Sequence, residues 1–381
     1  MSPSPFAVTD PANPASYSWE ATDEGVAARF GIPVEKVVRF DLNTSPAPPD
    51  LLAEMLAAGR FETSLSEYPP GDYRLLVEAA AAAYGVTTDE VVPGCGADEI
   101  LDMCVKAFLP AGGRSVIPTP TYAMYRVHSE QRGGTVVPVP RLGPDQGFAL
   151  DLPAMRAAAR DAAIVWLCNP NNPTGAEEPA GAIETLLVGI VADAAADGRR
   201  PAAVVVDEAY AEFTGRSVIP LRTRFPNLVV VRTASKAYAL AGLRVGFAVA
   251  APATTERVAL FRPPGSIATI SETVVTRALR EPAAMQANVA RVLGERPRLA
   301  EAFDQAGWTP YPSVACFLLV DLRTVERSSF VADQLMRRGI VPRTFPAGHP
   351  AAHCIRVTVR APHENDRLIE AIREIAPEVP A

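Results

Sequence analysis

Cysteine, histidine, excess basic charge and long apolar runs are all scarce in this chain, and each scarcity closes off a class of protein. Among 381 residues there are five cysteines, Cys95, Cys104, Cys168, Cys316 and Cys354, and no two stand in CxxC spacing. An odd, dispersed set supports neither a disulfide framework nor a thiolate zinc site, and it fits a reducing cytoplasm. Of the four histidines, His349 and His353 stand four apart, but Pro350 and the neighbouring Gly and Ala make that segment a loop, so no metal is expected. No apolar run approaches the ~18 residues of a membrane span. Residues 1–16 are rich in Pro and Ser and lack the basic start and apolar core of an export signal. Lys and Arg (36) are outnumbered by Asp and Glu (43), a formal charge of −7, which argues against a nucleic-acid-binding surface. The expected partners are small molecules or another copy of the chain, with neither membrane nor nucleic acid among them.

What is present is a large globular composition, 48% hydrophobic and 21% charged, without tandem repeats. The length exceeds the ~100–200 residues of one typical domain, so a large domain with a smaller one, or two comparable domains, is expected. Residues 1–40 read as an arm with a short helix near Asp23 to Phe30 and part of the small domain, 41–264 as the large domain and 265–381 as the small C-terminal domain. Helices are predicted over Leu75 to Tyr84 and Glu99 to Phe108, and a strand beginning at Ser115 to Ile117. The apolar runs Ala163 to Cys168, Ala202 to Val206 and Leu228 to Val231 lack polar alternation, as strands buried on both faces do. This alternation predicts an α/β fold with a mainly parallel sheet. A long helical stretch, Glu272 to Gln305, is expected to be interrupted at Pro282 and Pro297. Cys316 to Asp321 and Cys354 to Val359 read as strands of a smaller α+β domain.

A chemically specific set of residues follows the three buried runs. Asn172-Pro173-Thr174-Gly175, Asp207-Glu208-Ala209-Tyr210 and Ser235-Lys236, with Arg244 eight residues on, describe a pyridoxal-phosphate site. In open α/β sheets ligands bind beyond the carboxyl ends of strands, where these loops converge. Lys236, just past a buried strand, is placed for its amine to be desolvated and nucleophilic near neutral pH, although a single such lysine is usually merely solvated. Thr233, Ser235 and Arg244 supply hydroxyls and a guanidinium suited to phosphate. Asp207 ends an apolar run, where a carboxylate needs a cationic partner such as a protonated pyridine nitrogen; a helix N-cap or a salt bridge is the other reading. Tyr210 and Asn172 are within reach of the ring's phenolic oxygen, with a turn-forming Asn as the alternative at 172. Gly94-Cys95-Gly96-Ala97-Asp98-Glu99 places a Gly-rich loop before a helix, a source of unpaired N–H groups for an anion or simply a helix start. Tyr122 reads as a ring that stacks on the cofactor or as core.

These residues resemble the fold-type I, class I/II aminotransferases, most closely the histidinol-phosphate aminotransferase group, over most of the chain. Leu42-Asn43-Thr44-Ser45-Pro46, Tyr68-Pro69, Ala97-Asp98-Glu99, Pro120-Thr121-Tyr122, Asn169-Pro170-Asn171-Asn172-Pro173-Thr174-Gly175, Asp207-Glu208-Ala209-Tyr210 and the Ser235 to Arg244 stretch stand in that group's order. The resemblance implies a large domain with a seven-stranded sheet and a smaller α+β domain. It implies Lys236 as the cofactor-bearing lysine, Asp207 at the pyridine nitrogen, Asn172 and Tyr210 at the phenolic oxygen and Tyr122 against the ring. Ala97, Asp98, Thr233, Ser235 and Arg244 would surround the phosphate, joined by Tyr68 of a neighbouring subunit in a homodimer with shared sites. Arg356 would bind a substrate carboxylate and Arg343 a second anionic group, with Asn43 and Tyr17 nearby. Two arginines at one pole suit a phosphorylated amine, unless Arg343 is a surface residue following Pro342. Arg360 stands where the group has glycine, and Tyr17-Ser18-Trp19-Glu20 resembles its N-terminal tyrosine segment only loosely. The implied reaction is transamination between histidinol phosphate and 2-oxoglutarate, with glutamate formed, as a step in histidine biosynthesis. The alternatives are an aromatic amino acid aminotransferase and an O-phosphothreonine decarboxylase.

Overall fold

The computed structural model describes residues 21–59, 61 and 63–379. Twelve strands form among them, in chain order β1 (Val38–Arg39), β2 (Val91–Gly94), β3 (Arg114–Thr119), β4 (Thr135–Pro140), β5 (Ile164–Cys168), β6 (Ala203–Asp207), β7 (Leu228–Thr233), β8 (Gly246–Ala250), β9 (Thr309–Pro310), β10 (Phe317–Asp321), β11 (Ile340–Val341) and β12 (Cys354–Thr358). Seven of them make one sheet in the order β2-β8-β7-β6-β5-β3-β4. Its pairings are parallel from β7 through β4, and β8 is antiparallel to both β7 and β2. This is the α/β architecture the sequence predicts.

Every residue of β5, β6 and β7 is buried, because helices cover both faces. Val204 and Val206 pack on one side with Met155, Ile183 and Leu187. Val205, Val229 and Val231 pack on the other with Ile100, Leu101 and Cys104 of the helix Gly96–Phe108. The two-residue period puts Asp207, the last residue of β6, on the Val205 side, where Tyr125 lies. Each large apolar side chain between these layers contributes about 1.5–3 kcal/mol, so a buried carboxylate at one strand end is tolerated.

A second sheet, β12-β10-β9, is antiparallel, with β10 and β12 in register from Phe317↔Thr358 to Asp321↔Cys354. Leu299, Phe303, Phe317, Ile355, Leu368 and Ile372 form its core, and the same cluster takes in Ala209, Tyr210 and Ala237. The loops after β6 and β7 are therefore held by packing from the second sheet as well. β1 pairs in parallel with β11, Val38↔Ile340 and Arg39↔Val341.

Two boundaries differ from expectation. The helix expected from Glu99 begins at Gly96, so the glycine loop is largely the helix's own first turn. Pro282 does separate helices Thr269–Arg280 and Ala283–Gln305, but Pro297 lies inside the second without ending it. Proline there removes one backbone hydrogen bond. Val292, Leu299 and Phe303, buried on either side of it, hold the helix in place.

Candidate active site

The loops that follow β3, β5, β6 and β7 carry Tyr122, Asn172, Asp207 and Lys236 to one end of the large sheet. Asp207 is 4% exposed, and its Oδ2 accepts the Tyr125 hydroxyl at 2.8 Å while Oδ1 accepts the Ala209 N–H at 3.0 Å. Burial pushes its carboxyl up to about 6, against the downward pull of those two donors and of Lys236. A carboxylate offers about four acceptor positions, so two remain for a ligand cation.

Lys236 has the complementary perturbation. Burial holds its ammonium below the ordinary lysine range, and Arg356 and Arg244 push the same way. Its Nζ stands 3.5 Å from the Leu42 carbonyl and 5.9 Å from the centre of the Tyr210 ring. Asn43 Nδ2 donates to the Tyr210 hydroxyl at 3.1 Å, and the Asn43 N–H donates to Thr358 Oγ1 at 2.9 Å.

Arg356, on β12, is buried, lies 5.3 Å over the Phe317 ring and donates to Asn172 Oδ1 at 2.5 Å and to the Asp41 carbonyl. Three successive residues, Asp41, Leu42 and Asn43, thus touch Arg356, the Lys236 amine and the Tyr210 phenol in turn. Arg343 exchanges both backbone hydrogen bonds with Arg356, each 2.9 Å. Directly opposed residues share a face, so both guanidiniums issue from the same side. Burial and the Arg343 charge lower the Arg356 guanidinium from its usual range.

Arg360 turns away from this pole. It donates to the Arg39 carbonyl at 3.0 Å and to Glu364 Oε1 at 2.9 Å, and serves as a strut between the second sheet and the helix Pro362–Ile375.

The phosphate-type residues gather around the start of the helix Gly96–Phe108. Arg244 lies 3.4 Å from Ser235 Oγ and 3.4 Å from Asp98 Oδ2, and Thr233 Oγ1 donates to Ser235 Oγ at 2.9 Å. Tyr122 donates to Asp98 Oδ1 at 3.0 Å. Gly96 has φ +80°, and a Cβ there would collide with the Arg244 guanidinium; a Cβ at Gly246 would stand 2.6 Å from Ala97 N. Both glycines are needed for the helix N-terminus to sit this close to β8 and Arg244. Glu99 ties the loop down, its Oε2 accepting the Cys95 N–H at 2.6 Å and the Ser266 hydroxyl at 2.8 Å. Tyr68 is 90% exposed. Tyr17 lies outside the described residues.

Three features escaped the sequence reading. Tyr125 is one, on the helix Met124–Gln131 with no local signal to mark it. Asn171 is another, holding the loop through Pro120 O at 3.2 Å and Thr174 Oγ1 at 2.9 Å. The third is the buried trio Arg232, Glu208 and Glu212, which joins the loop after β6 to β7. The loop around His349 and His353 is present as expected, and His353, Asp321 and Cys354 bring possible ligand atoms within 4.8 Å of one another. Asp321 is already engaged there by the Arg323 N–H at 2.6 Å and the Tyr311 hydroxyl at 3.0 Å.

This donor set fits pyridoxal phosphate: a buried carboxylate with open acceptor positions, an amine of lowered basicity, and a guanidinium, hydroxyls and helix N–H groups packed around two obligatory glycines. The family model described as aminotransferase class I and II matches residues 39–375. A histidinol-phosphate aminotransferase of Thermococcus gammatolerans is 37% identical over 341 residues, 89% of this chain and 92% of its own. One from Roseiflexus castenholzii is 34% identical, covering 93% of each. The crystal structure of the Sinorhizobium meliloti histidinol-phosphate aminotransferase in complex with pyridoxal 5′-phosphate superposes with a TM-score of 0.82 at 27% identity, over 95% of this chain and 96% of that one. An L-threonine-O-3-phosphate decarboxylase from Porphyromonas gingivalis, at 22% identity and a TM-score of 0.74, shares the fold alone. With the family model matched over residues 39–375 and relatives aligned over nearly its whole length, the chain belongs to the class I and II aminotransferases.

Proposed function

We propose that this aminotransferase binds pyridoxal 5′-phosphate and moves the amino group of L-histidinol phosphate to 2-oxoglutarate. The observation that carries the substrate assignment is the Arg343–Arg356 pair, two guanidiniums on one face across a backbone bridge. A dianionic phosphate accepts two such donors, whereas one arginine suffices for a carboxylate. The naming of the aligned relatives supports the same reading.

When bound, pyridoxal phosphate supplies a cationic ring that withdraws the electron pair left at the substrate's α-carbon. Asp207 holds the ring nitrogen protonated, and Asn172 and Tyr210 orient the phenolic oxygen. Lys236 carries the cofactor between turnovers. Its Nζ would serve as the base for the proton on the substrate's α-carbon, a task helped by its lowered basicity. Ala97, Asp98, Thr233, Ser235 and Arg244 retain the cofactor phosphate and Tyr122 lies against the ring. Arg356 and Arg343 would bind the anionic end of the phosphorylated substrate and Arg356 the carboxylate of 2-oxoglutarate or glutamate, with Asn43 and Tyr17 bordering that end.

The reading includes a homodimer with shared sites, supported by the exposure of Tyr68 together with Leu65 (57%) and Leu260 (68%). Residues 41–264 would form the large domain, and 1–40 with 265–381 the smaller one. The pairing of β1 with β11 and the confinement of the seven-stranded sheet to 91–250 support this division. Among the described residues no helix is long and apolar enough to cross a membrane, and the five free thiols suit the cytoplasm.

The test is the absorbance of the pyridoxal-phosphate-loaded protein before and after L-histidinol phosphate, with no keto acid present. Conversion to the pyridoxamine form, with one equivalent of keto product, is expected. An unchanged spectrum alongside conversion by phenylalanine would transfer the reading to aromatic amino acids. Carbon dioxide release from O-phosphothreonine would transfer it to decarboxylation.

A further inference from the structure

We infer that Tyr125 is a positioning residue for the reaction: a fixed, neutral phenol donor that keeps Asp207 ionised and aimed at the cofactor nitrogen. This rests on the assignment of Asp207 to that nitrogen.

Asp207 is the one carboxylate placed at the end of β6, and of its two bonds only that from Tyr125, at 2.8 Å, comes from a side chain. The phenol is itself immobilised on every side. Its ring stacks on Trp166 with centroids 5.3 Å apart and planes 5° from parallel, and meets Tyr122 edge-on at 5.6 Å. Trp166 Nε1 donates to Ser115 Oγ at 2.9 Å, Ser115 and Ser129 share a hydrogen bond of 2.8 Å, and Ser129 Oγ donates to the Tyr125 carbonyl at 2.7 Å. Tyr125, Trp166, Ser115 and Ser129 are each fully buried. A polar network so deep in an apolar layer is costly unless every member is satisfied, and this one closes on the backbone of Tyr125. The Tyr125 hydroxyl carries it to Asp207, with the Cys168 thiol beside the same hydroxyl.

The chemistry suits a donor rather than a proton relay. Burial, with Asp207 beside it, keeps the Tyr125 hydroxyl protonated at any working pH. The other groups facing Asp207 are Asp98, Lys236, the Tyr122 phenol and the Cys168 thiol, and the thiol is pushed up to about 12 by burial. Asp98 opposes ionisation of Asp207 and Lys236 favours it, so Tyr125 supplies the strongest side-chain stabilisation of the anion. A hydrogen bond to an ionised group is typically worth about tenfold or more in an equilibrium.

Tyr125→Phe removes the hydroxyl and keeps the stack on Trp166. It is expected to weaken the equilibrium binding of pyridoxal phosphate to the apoprotein by about tenfold. The acid-side loss of cofactor binding should also move upward by about one pH unit, because Asp207 without its donor protonates more readily. Thermal midpoints of the two apoproteins serve as the folding control. The same substitution made in an Asp207→Asn background is expected to change cofactor binding by less than about twofold. Unchanged affinity and pH limb in Tyr125→Phe, or an equal loss in the Asp207→Asn background, would overturn the inference. Failure of the unaltered protein to bind pyridoxal phosphate would instead overturn the site assignment beneath it.

Discussion

Arg232→Met isolates the contribution of the buried trio behind the catalytic loops. The Arg232 side chain is 9% exposed, and its partners Glu208 and Glu212 are 1% and 7%. Its two terminal nitrogens donate to Glu208 at 3.1 Å and to Glu212 at 2.7 Å, and the guanidinium lies 5.0 Å over the Tyr84 ring. Methionine fills much of the same volume but leaves two carboxylates without their cation. Removing one partner of a buried ion pair costs about 3–5 kcal/mol, and that figure is expected near pH 8. The loss should shrink in acid. Burial already raises the Glu208 carboxyl, and without Arg232 it rises further. A raised acid contributes stability that is complete at low pH and disappears as pH climbs through its folded-state pKa, so the variant regains stability as Glu208 takes up a proton. Each unit of additional shift is worth about 1.4 kcal/mol, so the penalty should be smaller at pH 5.5 than at pH 8. Urea midpoints of the two apoproteins at pH 5.5 and 8, with equal m-values, measure it. A penalty below about 1 kcal/mol, or one identical at both pH values, would refute the assignment of this trio as a mutually neutralising cluster.

Two further substitutions address the two poles of the site. Arg343→Ala is expected to raise KM for L-histidinol phosphate by about 10–100-fold, the value of a lost charge-assisted bond. KM for glutamate should change by less than about threefold, and equal losses for both substrates would defeat the phosphate-pole reading. Gly96→Ala forces a side chain into φ +80° and against Arg244. It should weaken pyridoxal-phosphate affinity at least tenfold, beyond a strain cost of about 1–2 kcal/mol in apoprotein stability; unaltered affinity would remove Arg244 from the phosphate site.

The parallel sheet was legible because β5, β6 and β7 are unbroken apolar runs, and the candidate cofactor residues because they stand in the segments that follow those runs. Local chemistry therefore exposed Asp207, Lys236 and Arg244. Long-range partners were not legible: Tyr125 meets Asp207 across 82 positions of sequence, and no local pattern distinguishes it from any aromatic on a helix face. The direction of Arg360 was hidden for the same reason, since its partners Arg39 and Glu364 lie on separate elements. Pro297 misled because local propensity counts one lost hydrogen bond but not the buried side chains flanking it.

The run Asp41-Leu42-Asn43 has a bearing on how the chain can be trimmed or tagged. Although it lies close to the N-terminus in sequence, it forms part of the wall of the candidate site, in contact with Arg356, Lys236 and Tyr210. It is also clamped in place, with Asn43 bonded to Thr358 and β1 laid against β11. A cut that removes β1 and this run together would open that end of the candidate site to water and release all three contacts at once.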